Sequence, residues 1–323
     1  MNLQQLRSLV EVVRHNLNIT EAADSVCLSQ PGISKQLKQL EQELQLTLFV
    51  RKGRNLTELT PAGKAILAKA NEVLSKVEDI YQIARECNNQ HGVLSIATTH
   101  TQARYLLPTV VGQFINQFPD VNLNLQQGTP KQVAKLASQG DVDIAIATEA
   151  VEHFENLVTM PCYQWNRCVV VKKDHPLAEC KQLTLAGLAA YPLITYVYGY
   201  TGRYKVDEAF VAAELQSNII LTAVDADVIK TYVRLGLGVG IIANMAFDAS
   251  EDKDLVALNA SDLFGASVTH IALMKDRFIR EYIYRFITLF APHLTEEVVR
   301  RAMLCSDAKE RKAMFEDFVI PAY

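Results

Sequence analysis

No stretch of this chain approaches the roughly 18 consecutive apolar residues that a membrane-crossing helix requires, so a membrane partner is not expected. The start, Met1-Asn2-Leu3-Gln4-Gln5, lacks the basic segment and apolar run of a secretory signal. The six cysteines (Cys27, Cys87, Cys162, Cys168, Cys180, Cys305) are scattered without a CxxC pair. Thiols so placed in a long chain fit a reducing cytosol and small buried hydrophobes, and the protein is read as cytoplasmic. The seven histidines show no metal-ligand spacing, so no metal is expected. No serine or cysteine nucleophile has a recognisable partner, so no enzyme is expected either. Positive charge is also lacking overall: the formal net charge is −4. Any affinity for nucleic acid must therefore come from a local basic surface.

What is present is an ordinary globular composition, 49% hydrophobic and 21% charged, over 323 residues, enough for two or three folding units. Leu3, Leu6, Val10, Val13 and Leu17 recur every three or four residues and predict a first helix. Asn18 stands three residues before Glu21, a capping-box spacing, and a short Ala-rich helix over Glu21 to Cys27 is expected after it. Ser29-Gln30-Pro31 opens a third helix, with serine suited to the N-cap and proline tolerated in the first turn. Its apolar residues are Ile33, Leu37, Leu40 and Leu44, which leaves Gln30, Ser34, Lys35 and Lys38 facing outward. Two short helices with a polar, basic second member form the helix-turn-helix pattern.

The first 60 residues carry seven basic and six acidic side chains, but the distribution is uneven. Ser29 to Leu40 holds two lysines and no acid, and Arg51-Lys52-Gly53-Arg54-Asn55 reads as a basic hairpin tip. Gln30, Ser34 and Lys35, beside Pro31 at the helix start, suit base edges in a major groove, whereas Arg51, Lys52 and Arg54 suit phosphates. Each of these residues alone also fits an unrelated solvated face. Thr60-Pro61-Ala62-Gly63 starts a long helix whose Ile66, Ala70, Val73, Val77, Ile80 and Ala84 alternate four and three apart. That heptad seam suits pairing with a second copy of the chain.

The order of patterns is specific enough to carry a resemblance. Ala22-Ala23, Ser29-Gln30-Pro31-Gly32-Ile33-Ser34, Leu40-Glu41, Leu48-Phe49-Val50-Arg51 and Leu59-Thr60-Pro61-Ala62-Gly63 resemble the DNA-binding head of LysR-type transcriptional regulators. Asn18 and Gly32 depart mildly, standing where many members have serine and alanine, and Gly32 costs its helix up to ~1 kcal/mol relative to alanine. The resemblance covers essentially the whole chain and implies a fold class: an all-α, winged helix-turn-helix N-terminal part, a long linker helix, and a two-lobed α/β effector domain like a type II periplasmic binding protein. The expected domains are 1–60 (winged helix-turn-helix), 61–88 (linker and dimerisation helix), 89–161 (first part of lobe I), 162–267 (lobe II) and 268–323 (the return to lobe I and the tail).

After Asn88-Asn89-Gln90-His91-Gly92, the best linker, strands alternate with helices, which implies a largely parallel sheet. Thr98-Thr99-His100-Thr101-Gln102 lies where a strand gives way to a helix, and hydroxyls beside free amides suit a carboxylate. Thr148-Glu149 ends another strand, and Thr201-Gly202-Arg203 opens a loop before a helix. Ligands gather at such strand ends, although ordinary caps and turns use the same residues. Leu235-Gly236-Leu237-Gly238-Val239-Gly240 imitates a dinucleotide fingerprint but follows a helix and precedes a strand, so it is read as a helix C-cap and turn.

Ile96 to Tyr105, Pro161 to Arg167, Thr201-Gly202-Arg203 and Asp225 to Tyr232 resemble the branch of this family that activates sulfur assimilation and cysteine biosynthesis. That resemblance implies that Thr99, Thr101, Gln102, Thr148 and Thr201 line an anion site, with Trp165 nearby. His100, Glu149 and Gly202 are adjacent candidates. It implies no cofactor but a small acidic effector, N-acetyl-L-serine or O-acetyl-L-serine, with sulfate-like anions fitting the same place. The implied partners are double-stranded promoter DNA, RNA polymerase and further copies of the chain, in a homodimer or homotetramer. The alternatives are a regulator of alkanesulfonate or other small-acid use and, in a different class, a solute-binding protein or enzyme.

Overall fold

The structure is a computed structural model that describes residues 1–53, 55–87, 92–180 and 182–322. It divides into two units, Met1–Gln90 and His91–Tyr323.

In the first unit, α1 (Leu3–Arg14), α2 (Ile19–Ser25) and α3 (Gln30–Leu44) bury Leu6, Leu9, Ala22, Ala23, Ile33, Leu37 and Leu40 against one another. Asn18 accepts from the amides of Thr20 and Glu21 at 3.1 and 3.3 Å, so α2 starts two residues earlier than its apolar pattern suggested. Glu21 takes its bond from the Asn18 side-chain amide, 2.7 Å away. Ser29 caps α3 through the Gly32 amide, 3.2 Å away. The hairpin of β1 (Phe49–Lys52) and β2 (Asn55–Leu59) turns through Gly53, whose φ of 66° suits glycine. Thr60 binds the Thr47 carbonyl at 2.7 Å and caps α4 (Pro61–Cys87) through the Gly63 amide at 2.9 Å. A side chain at Gly63 would sit 2.1 Å from the Leu48 carbonyl oxygen, so glycine is what lets α4 pack on the hairpin base.

The second unit holds two five-stranded sheets. Its first half runs β3 (Val93–Thr98), a helical segment leading into α5 (Leu107–Gln117), β4 (Asn122–Gln127), α6 (Pro130–Ser138), β5 (Ile144–Ala147) and β6 (Leu157–Trp165). The chain passes to the second sheet at Asn166 and continues as β7 (Arg167–Lys172), α7 (Leu185–Ala189), β8 (Leu193–Tyr196), α8 (Arg203–Ala212), β9 (Ile219–Ala223), α9 (Ala226–Arg234), β10 (Val239–Ala243) and β11 (Leu255–Asn259). It then returns as β12 (Ser267–Met274), followed by α10 (Glu281–Phe290), α11 (Glu296–Leu304) and α12 (Ala308–Phe315). The orders are β4-β3-β5-β12-β6 and β11-β7-β10-β8-β9.

Each sheet is mixed rather than largely parallel. The β-α-β crossovers give parallel β4-β3-β5 and β9-β8-β10, whereas β12, β6, β7 and β11 pair antiparallel. The reason is that β7 and β12 arrive from the other lobe, so no helical crossover within their own sheet dictates their direction. The tail covers an edge: the Gln164 amide donates to the Pro321 carbonyl at 2.8 Å, and Ala322 bridges to β6. Such a cap hides polar backbone that an open edge would expose. Gly236 and Gly238 form the turn between α9 and β10. A side chain on Gly238 would lie 2.5 Å from the Pro192 carbonyl oxygen, so close packing explains the glycines there.

Candidate functional site

The first candidate surface belongs to α3 and the hairpin. Gln30, Pro31, Lys35 and Lys38 are exposed and Ser34 is half-buried, because Ile33, Leu37 and Leu40 take the inward positions of the same helix. Arg51 and Lys52 are exposed on β1, while Arg54 lies outside the described residues. Glu41 organises the junction: it accepts from the Leu48 amide at 2.8 Å and pairs with Arg51 at 3.0 Å. Arg51 is thereby held in place with part of its charge answered by Glu41, whereas Lys52 is exposed.

The second site lies in the sensor, where the two sheets face each other through the ends of their strands. The helical run begins at His100, and its first paired amide is that of Ala103, 3.1 Å from the Thr99 carbonyl. The amides ahead of it have no partner within the helix. The run is a π-turn over Gln102–Leu106 before α5, with the Leu107 amide reaching back to Gln102. Pro108 explains it, because it has no N–H to give the Arg104 carbonyl. Thr98 spends its hydroxyl on the Ile146 carbonyl at 3.0 Å. Thr99 and Thr101 are buried beyond it, and Thr101 faces the buried phenol of Tyr196 across the lobe boundary.

Two chains of polar contacts join the expected residues. In one, the Tyr163 hydroxyl donates to Gln102 Oε1, and Gln102 Nε2 donates to Thr269 Oγ1 at 3.4 Å. Thr269 Oγ1 in turn lies 3.1 Å from Thr148 Oγ1. In the other, the Gly202 amide donates to Glu149 Oε1, a bond from lobe II to lobe I. Arg167, only 1% exposed, donates through Nη2 to the Gly202 carbonyl at 2.8 Å and to Ser267 Oγ at 3.0 Å. Its guanidinium stacks 4.9 Å from the Trp165 ring. Trp165 Nε1 and Glu149 Oε2 are buried without a hydrogen-bond partner among the described residues. Buried donors and acceptors of this kind are costly unless something else satisfies them.

A buried cation, Arg167, and a buried carboxyl, Glu149, stand together in the site. Burial raises the Glu149 carboxyl to about 7, with the Gly202 amide and then Arg167 pulling it back. Burial likewise lowers the Arg167 value, which Glu149 counters. Thr201, a β-branched residue, adopts φ 44°, and Gly202 follows at φ 63°. Strain of this type, about 1–3 kcal/mol, persists only where surrounding bonds hold it, and the Arg167 bonds to these carbonyls do so.

Thr99, Thr101, Gln102, Thr148, Glu149, Trp165, Thr201 and Gly202 therefore sit on one connected boundary. His100 points elsewhere, to a group containing Asp225 and Asp227. Sequence reasoning passed over Arg167, Tyr163, Ser267 and Thr269. Arg167 carried a usable signal: a lone arginine heading the buried run Cys168-Val169-Val170-Val171 must have partners.

A winged helix-turn-helix with a basic face, joined to a two-lobed α/β domain with a polar cleft, defines a DNA-binding, ligand-sensing transcription regulator. Comparison with known proteins gives the family. Residues 3–64 match the bacterial regulatory helix-turn-helix protein model of the lysR family, and residues 88–295 match the LysR substrate binding domain. The chain is 51% identical over 317 residues to the HTH-type transcriptional regulator CysB of Haemophilus influenzae, covering 98% of both chains. It is 49% identical to SsuR of Burkholderia cenocepacia, over 92% of this chain and 96% of that one. The crystal structure of the cofactor-binding domain of the Cbl transcriptional regulator matches with TM-score 0.64 and 43% identity, over 67% of this chain and 94% of that one. The chain belongs to the LysR family of transcriptional regulators and is not an enzyme. Like other members it binds promoter DNA and a small-molecule effector. No helix among the described residues is long and apolar enough to cross a membrane.

Proposed function

We propose that this protein acts in the cytoplasm as a regulator of sulfur assimilation and cysteine biosynthesis genes, controlled by N-acetyl-L-serine or O-acetyl-L-serine. The observation that carries the reading is the start of the helix at Thr99–Gln102. The first amides there have no partner within the helix, Thr99 and Thr101 are buried, and Thr101 meets Tyr196 of the opposite lobe, itself near the Arg167 cation. Amides and hydroxyls bind a carboxylate directionally. The partnerless Trp165 Nε1 offers a donor to an acyl oxygen, and sulfate fits the same donor set. The 51% identity to a regulator named CysB supports the pathway.

The effector is expected to favour one arrangement of the lobes by its differential affinity, and thereby to change how a pair of heads engages DNA and RNA polymerase. Pairing, in a homodimer or homotetramer, uses α4. Val73 and Ile80, at 43% and 65% exposed, remain unpacked on its heptad seam. The helix spans about 40 Å at 1.5 Å per residue.

Calorimetry on the full chain tests the effector with N-acetyl-L-serine, O-acetyl-L-serine, sulfate and an alkanesulfonate. One of the acetylserines should bind at least tenfold more tightly than the sulfonate. Preference for the sulfonate would assign the chain to alkanesulfonate use instead.

A further inference from the structure

The start of the sensor helix also carries a second group of donors. One ring nitrogen of His100 and one carboxylate oxygen each from Asp225 and Asp227 lie within 4.8 Å of one another. His100 comes from lobe I, and the two aspartates flank the start of α9 in lobe II. Some 125 residues separate the histidine from the acids, so no local spacing could reveal the cluster. His100 Nδ1 is buried and makes no hydrogen bond among the described residues. A buried imidazole nitrogen without a partner is unsatisfied as the structure stands.

The carboxylates keep coordinating capacity. Asp225 uses Oδ1 to cap α9 through the Val228 amide at 2.9 Å. Asp227 accepts from the Tyr105 hydroxyl through Oδ1 at 2.8 Å, and its Oδ2 stands 3.6 Å from Arg104 Nε. Lys230 Nζ, 3.5 Å from Asp227 Oδ1, is held more closely by Asp252 at 2.9 Å. Including Glu251, Asp254 and Arg234, which complete this network, five acids face three bases. The surroundings are net negative.

We propose that His100, Asp225 and Asp227 bind a divalent transition cation of the zinc type, bridging the two lobes. One imidazole and two carboxylates match the donor preference of such ions, and three protein ligands leave a position for water or a solute. Closing the ligand atoms from 4.8 Å to the roughly 3.3 Å that bonds of about 2.0–2.2 Å require takes side-chain rotation at the lobe boundary. The cation would thus clamp the lobes one residue away from Thr99 and Thr101. This site does not depend on which small acid the cleft accepts.

The test is a cobalt(II) titration of tag-free, metal-stripped full-length protein, read by visible absorption. One cobalt per chain is expected, with weak d–d bands, no sulfur charge-transfer band, and displacement by zinc. His100→Gln should weaken binding at least tenfold. Asp225→Ser should do the same while its hydroxyl keeps the cap on α9, so a loss there is not a loss of fold. Unchanged cobalt affinity in both variants, a charge-transfer band showing that a cysteine holds the ion, or no stoichiometric binding at millimolar cobalt would each overturn the proposal.

Discussion

Replacing Gly202 with alanine gives a demanding check on the way the sensor is held together. The new Cβ would stand 1.8 Å from Arg167 Nη2 and 2.8 Å from Ser267 Oγ, on backbone at φ 63°. Left-handed backbone costs alanine about 1–2 kcal/mol. The larger effect is displacement of the buried guanidinium from the Gly202 carbonyl at 2.8 Å and Ser267 at 3.0 Å. Charge-assisted bonds contribute about 1.5–3 kcal/mol each, and a shifted guanidinium keeps one of them. Gly202→Ala should therefore destabilise the sensor by about 2.5–5 kcal/mol, measured by urea unfolding of the full chain. The same substitution should cost only about 1–2 kcal/mol in an Arg167→Met background, because the colliding group is gone and the backbone strain alone remains. Equal losses in both backgrounds would show that Arg167 does not hold the Thr201–Gly202 turn.

Glu149 makes the sensor pH-dependent. Its carboxyl is raised from 4.5 to about 7, so folding favours the protonated form. Its contribution to stability is full below about 4.5 and is lost as pH rises through about 7, the reverse of a paired carboxylate. Affinity for an anionic effector should fall over the same upper range as a second negative charge develops, and calorimetry of Glu149→Gln should show a flat profile. On the DNA side, Lys52→Ala should weaken all sequences alike and reduce the salt slope by about one, whereas Gln30→Ala should alter base preference by about 1–3 kcal/mol at one position. Ile80→Asp on α4 should shift the protein towards monomer in sedimentation, and an unchanged oligomer would remove the heptad seam from the account.

The head was legible because its signals are local. Ser29, Thr60, Pro61 and Gly63 cap, start and pack their own helices, and the 3.6-residue period separates Leu37 from Lys38 unambiguously. In the sensor, the strand ends just before Thr99 and Thr148 and the turn bearing Thr201 were legible for the same reason. The connecting parts were not. Leu157–Trp165 contains Pro161, which a central strand disfavours, yet β6 is a sheet edge capped by the tail and tolerates it. Leu255–Asn259 is a short, almost wholly apolar run, and periodicity alone does not separate such a run from a turn of buried helix. Thr269 and Ser267 reach the cleft only because β12 returns from lobe II, a pairing across more than a hundred residues. Arg167 illustrates the same limit: its need for partners is visible, but the identity of Gly202 and Ser267 is not.

The most direct measurement is footprinting of a cysteine-biosynthesis promoter, with and without N-acetyl-L-serine, on the parent protein and on Thr99→Val/Thr101→Val. The parent should change its protected region when the acid is added. The double variant should bind DNA with the ligand-free footprint under both conditions, because the donor hydroxyls at the helix start are gone while the head is intact. An effector-dependent change that persists undiminished in the double variant would contradict the assignment of this helix start as the place where the acid is sensed.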